Sequence, residues 1–263
     1  MLILKNNIKM KNPYKIYLTK FFETITDFKH TSIRLNKILL KDVENYSDDR
    51  TTFFSATTLI IQDWTGSFDN GSKLKYHTGV TKTTFREDYA NEVHKVLSRE
   101  FGLYYSQSYE ALETLFKDLI YIKINADESF KNSLPKDKNY SRHSLKGGNE
   151  VFKLIQKAGK TRFQNYSKNN LTNFKFSETF KIFSEVRHAI THSQGVLKTS
   201  KIPNNNYYRS LFEYLLPLNE LKGETLILNF DFNTFTRLLG YITEFGYQIF
   251  KILSEEDDYE WTL

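Results

Sequence analysis

The chain has no cysteine and little proline or glycine, with 4 and 11 respectively among its 263 residues. The absence of cysteine excludes disulfide bonds, thiolate metal ligands and cysteine nucleophiles. The scarcity of proline and glycine, which interrupt helices, favours long helices. No apolar run approaches the ~20 residues that a membrane helix requires. Residues 1–4 are apolar but too few for the core of a signal peptide. We therefore expect a cytoplasmic protein that does not enter a membrane.

Apolar and aromatic residues are plentiful. Hydrophobic residues make up 40% of the chain, and its 22 Phe and 17 Tyr lead the aromatic content. This composition supports a buried core and argues against disorder. Apolar residues recur mostly at steps of three and four, which is the spacing of one helix face. The predicted fold class is mainly α: an up-and-down bundle of four or five helices with an additional helical N-terminal region.

A polar, glycine-containing stretch at residues 65–83 suggests a boundary between two domains. The predicted domains are 1–84, a mostly helical region of unknown role, and 85–263, the bundle. Residues 52–64 fit a helix or a strand equally well. The predicted helices are two short ones within 13–46, one over 85–124 with a break near Gly102, and others at 151–158, 177–194, 207–216 and from Asp231 or Asn233 onward.

Positive charge is concentrated in one segment. The net charge is only +6, yet residues 131–170 hold ten Lys or Arg and two acids, whereas residues 255–260 are almost wholly acidic. A basic segment of this kind attracts phosphates. Its alternative interpretation is a solvated surface loop. The candidate RNA-binding residues are Arg142, Lys146, Lys153 and Lys157.

The hexad Arg187-His188-Ala189-Ile190-Thr191-His192 carries the chemistry. Helical geometry places Arg187 at the edge of an apolar stripe, and His188 and His192 together on another face with Glu185 beside them. A charge at an apolar margin requires a partner, and Glu113, on an inward face of the helix before it, is the candidate. A permanent cation beside a base that titrates near neutrality suits phosphodiester cleavage.

Two other interpretations of the hexad stay open. Histidines near a helix C-terminus are favoured by the helix dipole, so His188 and His192 would be structural and Arg187 an ion-pair partner. Alternatively, His188 and His192 share a metal ion, with Glu185 or another helix supplying a third ligand. No glutamate lies between the two histidines, so the zinc-protease pattern is missing. We expect no metal and no cofactor.

These residues resemble the HEPN superfamily, whose mark is an arginine, four to six residues and a histidine near the end of a helix in a helical bundle. Arg187 and His192 fit this pattern with four residues between them. A polar residue follows the arginine in the family, usually Asn, Asp or His, and His188 fills that position. The resemblance covers about residues 98–254 and includes the turn at Gly195.

The resemblance implies a metal-independent endoribonuclease, or a non-catalytic module of the same fold that binds RNA, a nucleotide or a protein. In an active member, Arg187 would hold the phosphate, His192 would move protons and His188 would orient the phosphate or the other histidine. It also implies a homodimer with a composite active site. The resemblance further implies a role as a toxin or in antiviral defence, with an antitoxin or regulatory protein as partner.

Overall fold

Long helices dominate the protein, as its shortage of helix-breaking residues predicts. The computed structural model describes residues 11–48, 50–64, 75–217 and 219–262. These residues form seven α-helices: α1 Lys15–Asn45, α2 Arg86–Ala126, α3 Glu128–Asn132, α4 Asn149–Lys168, α5 Phe176–Ser193, α6 Asn206–Leu215 and α7 Phe232–Glu256. The mainly α fold class is confirmed. Within the described residues, no helix is both long and apolar enough to cross a membrane.

Two small antiparallel sheets accompany these helices. Strands β1 Phe54–Gln62 and β2 Lys75–Phe85 form a hairpin in which Phe54 lies opposite Phe85. Strands β3 Val196–Lys198, β4 Glu220–Lys222 and β5 Thr225–Ile227 form the second sheet, in the order β3-β5-β4. The second sheet follows α5 directly and therefore anchors the chain just beyond the hexad.

The chain forms two compact units. The helical unit comprises Met1–Ile33 and Ser98–Leu263, and the hairpin unit comprises Arg34–Leu97. One boundary between the units falls within α1 and the other within α2. The predicted domains 1–84 and 85–263 stay a prediction, and their boundary differs from that of the compact units.

The core of the helical unit is a cluster of four phenylalanines, one from each of its main helices. Phe116 of α2, Phe152 of α4, Phe180 of α5 and Phe245 of α7 have every ring within 6.4 Å of the others, and Phe152 stacks on Phe180 at 4.2 Å. Such pairs each contribute ~0.5–1.5 kcal/mol beyond the burial of their area. The cluster fixes how α5 lies against α2.

Two predicted helix breaks are wrong. Residues 13–46 hold one helix, α1, of 31 residues rather than two. No glycine or proline interrupts it, and the shift in its apolar stripe does not require a break. Helix α2 also passes through Gly102 without interruption. A methyl group added at Gly102 would lie 3.6 Å from side-chain atoms of Ile190 and Phe230, which is an ordinary contact distance, so α2 passes close to α5 here.

The predicted polar loop at 65–83 is also corrected. Residues 75–83 belong to β2, and 65–74 lie outside the described residues. The N-terminal region is therefore not only helical. Strand β2 is rich in threonine, whose branched side chain suits a pleated strand, but both faces of the hairpin are exposed. Without a buried face there is no alternation of apolar and polar residues to reveal a strand.

Local end signals were more informative than periodicity. Helix α7 begins directly after Asp231, whose side chain accepts a hydrogen bond from Thr234 N at 2.7 Å. Helix α4 is longer than the predicted 151–158 and contains a kink at Lys160, where φ is 45°. The short helix predicted at 207–216 corresponds to α6.

Candidate active site

Helix α5 presents the hexad at its C-terminal end. The apolar stripe predicted from the sequence is buried at Phe176, Phe180, Phe183 and Val186 and half-buried at Ile190, and Ala189 beside it is also buried. The helix ends because Gln194 adopts a left-handed conformation and Gly195 has φ 82°, while Gly195 N donates to Ala189 O at 2.9 Å. This arrangement is a common helix end. Gly195 O then accepts Leu228 N at 2.9 Å, which ties the turn to the residue after β5.

Helices α2 and α5 run antiparallel. The Phe180 ring lies 5.7 Å from that of Tyr109, and the Tyr105 hydroxyl donates to Phe183 O at 3.1 Å. Farther along α5, Ile190 lies against Gly102. Residue numbers therefore decrease along α2 in the direction in which they increase along α5. The final turns of α5, including Arg187, consequently lie beside α2.

Arg187 pairs with Glu110 of α2. Its Nη2 donates to Glu110 Oε1 at 2.9 Å, and the two side chains are 28% and 53% exposed. The Nε of Arg187 is buried without a hydrogen-bond partner in the described residues. A guanidinium offers five donors, and this single contact leaves most of them unused.

The predicted Glu113–Arg187 pair is wrong. Glu113 Oε1 instead accepts Gly148 N at 2.5 Å, at the start of α4. A methyl group at Gly147 would lie 2.7 Å from Glu113 Oε2, so the carboxylate would have to shift to admit a larger residue at this position. Glu110 and Glu113 are three residues apart on one face of α2, and the axial position of Arg187 decides between them.

Tyr109 lies beside this pair and was not singled out from the sequence. Its hydroxyl is buried and faces Ser184 and Glu113. Burial raises the pKa of Tyr109, and the charge of Glu113 raises it further, while Arg187 lowers it. The phenol therefore stays protonated at neutral pH. The signal in the sequence was the Tyr-Glu pair at 109–110, one helical turn before Glu113.

His188 and His192 lie on the exposed face of the same turns. Their ring centroids are 4.7 Å apart with an angle of 47° between the planes. Thr191, between them, donates its hydroxyl to Arg187 O at 2.9 Å. The predicted neighbour Glu185 is half-buried and makes no hydrogen bond or ion pair with either histidine in the described residues. Burial and then the charge of Glu185 raise the pKa of Tyr208 on α6.

A metal ion has little to hold it here. The described residues contain no group of three or more His, Asp or Glu side chains arranged for an ion. His188 and His192 supply two imidazoles, and a zinc site needs at least three protein ligands. The residues present fit acid–base chemistry with free imidazoles better than a metal centre.

The four predicted RNA-binding residues divide into two pairs. Arg142 donates to Asp118 of α2, and Lys157 donates to Ser133 O, so both hold in place the loop 133–148, which connects α3 to α4. Lys146 is 75% exposed, and its one ionic contact, with Glu150, is long at 3.8 Å. Lys153 is exposed and has no polar partner in the described residues. Their role in RNA binding stays a prediction.

A basic groove of about 530 Å³ lies between this loop and α4. Lys138, Lys146 and Lys153 line it together with Tyr140, and Glu150 is its acidic member. The loop is fastened to α2 at Glu113 and Asp118, while Arg187 is fastened at Glu110. Eight residues of helix span ~12 Å, so Arg187 and the loop are attached close together along α2.

The other half of the basic segment is neutralised by the acidic C-terminus. Arg162 donates to Glu255 and Glu256 at 3.2 and 3.1 Å, and Lys160 lies 3.7 Å from Glu256. Burial and the Glu255 carboxylate also raise the pKa of Tyr166, which donates to Glu255 at 2.6 Å. These cations therefore hold α4 against the end of α7.

Comparison of the chain with protein-family models, with curated proteins and with solved structures finds no match.

Proposed function

We propose that this protein is a metal-independent endoribonuclease of the HEPN type, with Arg187, His188 and His192 as catalytic residues. One observation supports the proposal most. An arginine with unused donors lies on the same helical turns as two exposed imidazoles that are 4.7 Å apart. A phosphate needs a fixed cation, and proton transfer needs imidazoles that substrate can reach.

RNA carries its own nucleophile, the ribose 2′-hydroxyl. An imidazole takes the proton of this hydroxyl as its oxygen attacks the adjacent phosphorus, and a protonated imidazole gives a proton to the departing 5′-oxygen. The bond from phosphorus to the 5′-oxygen breaks, so the products are a 2′,3′-cyclic phosphate and a 5′-hydroxyl. Arg187 binds the non-bridging oxygens, where negative charge accumulates. His192 is the proton carrier, and His188 orients the phosphate or the second imidazole.

A second copy of the chain completes the site in this proposal. Two proton transfers on opposite sides of one phosphate need imidazoles that approach from opposite sides, and a twofold axis supplies the partner's set. The exposure of His188 and His192 leaves them open to such a cleft. The basic groove at Lys146 and Lys153 holds the RNA backbone. A cytoplasmic toxin or antiviral effector, restrained by an antitoxin or regulatory protein, fits this activity.

The test is cleavage of RNA in the presence of EDTA. Purified protein is incubated with a total RNA pool and with unstructured RNA, and product ends are identified by their chemistry. We expect cyclic phosphate ends from the unsubstituted protein, and at least a hundredfold loss of rate for His192→Ala and Arg187→Ala. His30→Ala, which removes an exposed histidine elsewhere in the helical unit, is the matched control and retains the rate. Equal cleavage by His192→Ala would refute the proposal.

The second candidate is a non-catalytic RNA-binding module. The ion pair between Arg187 and Glu110 favours it, because a carboxylate already occupies part of the guanidinium. In that case RNA binds in a salt-dependent manner that survives loss of Arg187 and His192. Binding without cleavage, unchanged in both variants, identifies this second function.

A further inference from the structure

Two adjoining grooves lie on the helical unit on either side of the loop 169–174, which connects α4 to α5. Their volumes are about 480 and 560 Å³. Leu171, Thr172, Phe174 and Tyr241 line both grooves and form the wall between them. Neither groove includes Arg187, His188 or His192. The proposed catalytic chemistry therefore gives these grooves no role.

The shared wall is aromatic. The Phe174 ring lies 5.0 Å from that of Tyr241 and 6.2 Å from that of Tyr214, in edge-to-face arrangements. The Tyr214 and Tyr241 hydroxyls are joined by a hydrogen bond of 2.7 Å. Tyr214 is nevertheless 51% exposed, and Leu171 at the loop tip is fully exposed. The Tyr214 ring is thus presented to solvent, and the half-buried rings of Phe174 and Tyr241 hold it in place.

The loop is fixed before any ligand arrives. The Asn170 side chain accepts hydrogen bonds from Phe174 N at 2.9 Å and Thr172 Oγ1 at 2.7 Å, and donates to Phe174 O at 2.9 Å. On the other side, the Tyr207 hydroxyl donates to Asn173 O at 2.8 Å and accepts from Lys175 N at 2.7 Å. A ligand that packs on Phe174 therefore meets a preformed surface and loses little affinity to ordering the loop.

Cations surround the aromatic wall. Lys175 Nζ lies 4.4 Å from the centre of the Tyr207 ring, and Arg237 lies 5.4 Å from that of Tyr214. Lys251, which lines the first groove, lies over the rings of Tyr166 and Trp261. Amide side chains that both donate and accept, Asn169 and Gln248, also line that groove, as does the acid Glu244. Flat rings, two-way amides and flanking cations match the faces, the edges and the phosphates of nucleotides.

We propose that these two grooves bind successive unpaired bases of an RNA strand, stacked on Phe174, Tyr241 and Tyr214. The inference rests on the proposed ribonuclease function and adds its substrate class: single-stranded RNA held at a distance from the cleaved bond. Phe176, at the grooves, and His192 are 16 residues apart on α5, which corresponds to ~24 Å of helix. The grooves are thus a recognition site that selects unpaired segments, separate from the catalytic residues.

The test measures binding of fluorescently labelled, unstructured RNA to the His192→Ala protein, which is expected not to cleave the RNA during the measurement. Phe174→Ala in this background is expected to weaken binding about 5- to 100-fold, the range for losing stacking on one or more bases. The slope of affinity against salt stays the same, because no charge is removed. A duplex of the same sequence, whose bases are paired, shows no such loss. Tyr121→Ala, at an exposed tyrosine of α2, is the matched control.

A second variant protects the test against misfolding. If Phe174→Ala unfolds, Tyr214→Ala replaces it, since Tyr214 is half exposed. Unchanged affinity for single-stranded RNA, an equal loss for duplex, or binding of unstructured peptides but not RNA would each overturn the inference. Cleavage by the unsubstituted chain is scored separately. Phe174-dependent binding without any cleavage refutes the ribonuclease proposal alone, whereas cleavage with an unchanged KM in Phe174→Ala refutes the recognition site alone.

Discussion

Lys123 and Arg187 both bridge helices of the helical unit, but their charges are matched differently. Lys123 is 1% exposed and contacts two carboxylates, Asp127 at 2.8 Å and Asp257 at the end of α7. Arg187 is 28% exposed and contacts one carboxylate, Glu110, which is itself half exposed. Two of the three donors of the Lys123 Nζ face a carboxylate, whereas the Nε of Arg187 lacks a partner in the described residues.

This difference distinguishes charges that stabilise the fold from charges that are available to bind a phosphate. A buried cation with carboxylates around it has no room for a further anion, and removing it leaves uncompensated charge. A partly exposed arginine with one exchangeable partner can turn its remaining donors to a phosphate. The same distinction divides the basic segment, where Arg162 is bound to the acidic C-terminus and Lys153 has no polar partner in the described residues.

We expect the largest effect from a substitution that removes the cation of the Lys123 cluster, which consists of Lys123, Asp127 and Asp257. Lys123→Met leaves Asp127 and Asp257 without their cation. We expect a loss of about 2–3 kcal/mol in the free energy of unfolding, below the full cost for a buried pair because water reaches both carboxylates. Arg187→Met, the matched substitution, costs less than about 1 kcal/mol. Urea unfolding at neutral pH measures both, and equal losses would remove the distinction.

The next effect concerns the two halves of the basic segment. In the His192→Ala background, Lys146→Gln with Lys153→Gln is expected to weaken RNA binding about tenfold at low salt. The slope of log affinity against log salt should decrease by about 1.4, since each phosphate contact on a single strand contributes ~0.7. Lys160→Gln with Arg162→Gln should leave this slope unchanged, because Glu255 and Glu256 already neutralise those cations. Identical slopes in the two double variants contradict the division.

A smaller effect tests whether Glu110 competes with phosphate for Arg187. Glu110→Gln removes one negative charge but keeps a hydrogen-bond acceptor for the guanidinium. RNA affinity of the His192→Ala protein is expected to rise about two- to fivefold, the worth of one half-exposed ion pair. Glu128→Gln, which removes an exposed acid elsewhere on the helical unit, serves as control. No gain in affinity, or a gain of equal size in both variants, would show that Glu110 does not compete.

The smallest effect is a pH dependence of stability. The hydrogen bond from Lys123 lowers the pKa of Asp127, so its contribution is complete above ~3.9 and disappears as pH falls through the lowered pKa. Burial alone would lower the pKa of Lys123, but Asp127 and Asp257 outweigh it and raise this pKa, so that contribution disappears only as pH rises through the raised value. Stability attributable to Lys123, measured against Lys123→Met by thermal unfolding, should be constant between about pH 5 and 9. A difference that vanishes near pH 7 would contradict the cluster.

Features that depend on neighbouring residues were predictable from the sequence. The end of α5 at Gln194-Gly195 and the cap of α7 at Asp231 lie within a few residues of the signals that specify them. The hairpin was not predicted from the sequence. Both faces of β1 and β2 are exposed, so apolar and polar residues do not alternate along the strands and do not specify how the strands pair.

The candidate site was predictable in part, for a related reason. Periodicity placed Arg187 at the apolar margin and the two histidines together on another face of the helix. It could not choose Glu110 over Glu113, because both share a face of α2 and the choice depends on how far α5 slides along it. Nor could it identify Arg142 and Lys157 as bound, since their partners Asp118 and Ser133 O are 24 residues away in sequence.

In the proposed function, Arg187 and His192 cleave RNA by activating its own 2′-hydroxyl. The most direct measurement uses an RNA that the protein cleaves, resynthesised with one 2′-deoxynucleotide on the 5′ side of the scissile phosphate. We expect this RNA to bind with unchanged affinity and to resist cleavage at that bond, while other bonds are cut as before. Continued cleavage at the modified bond, or cleavage of the corresponding DNA, would contradict the account.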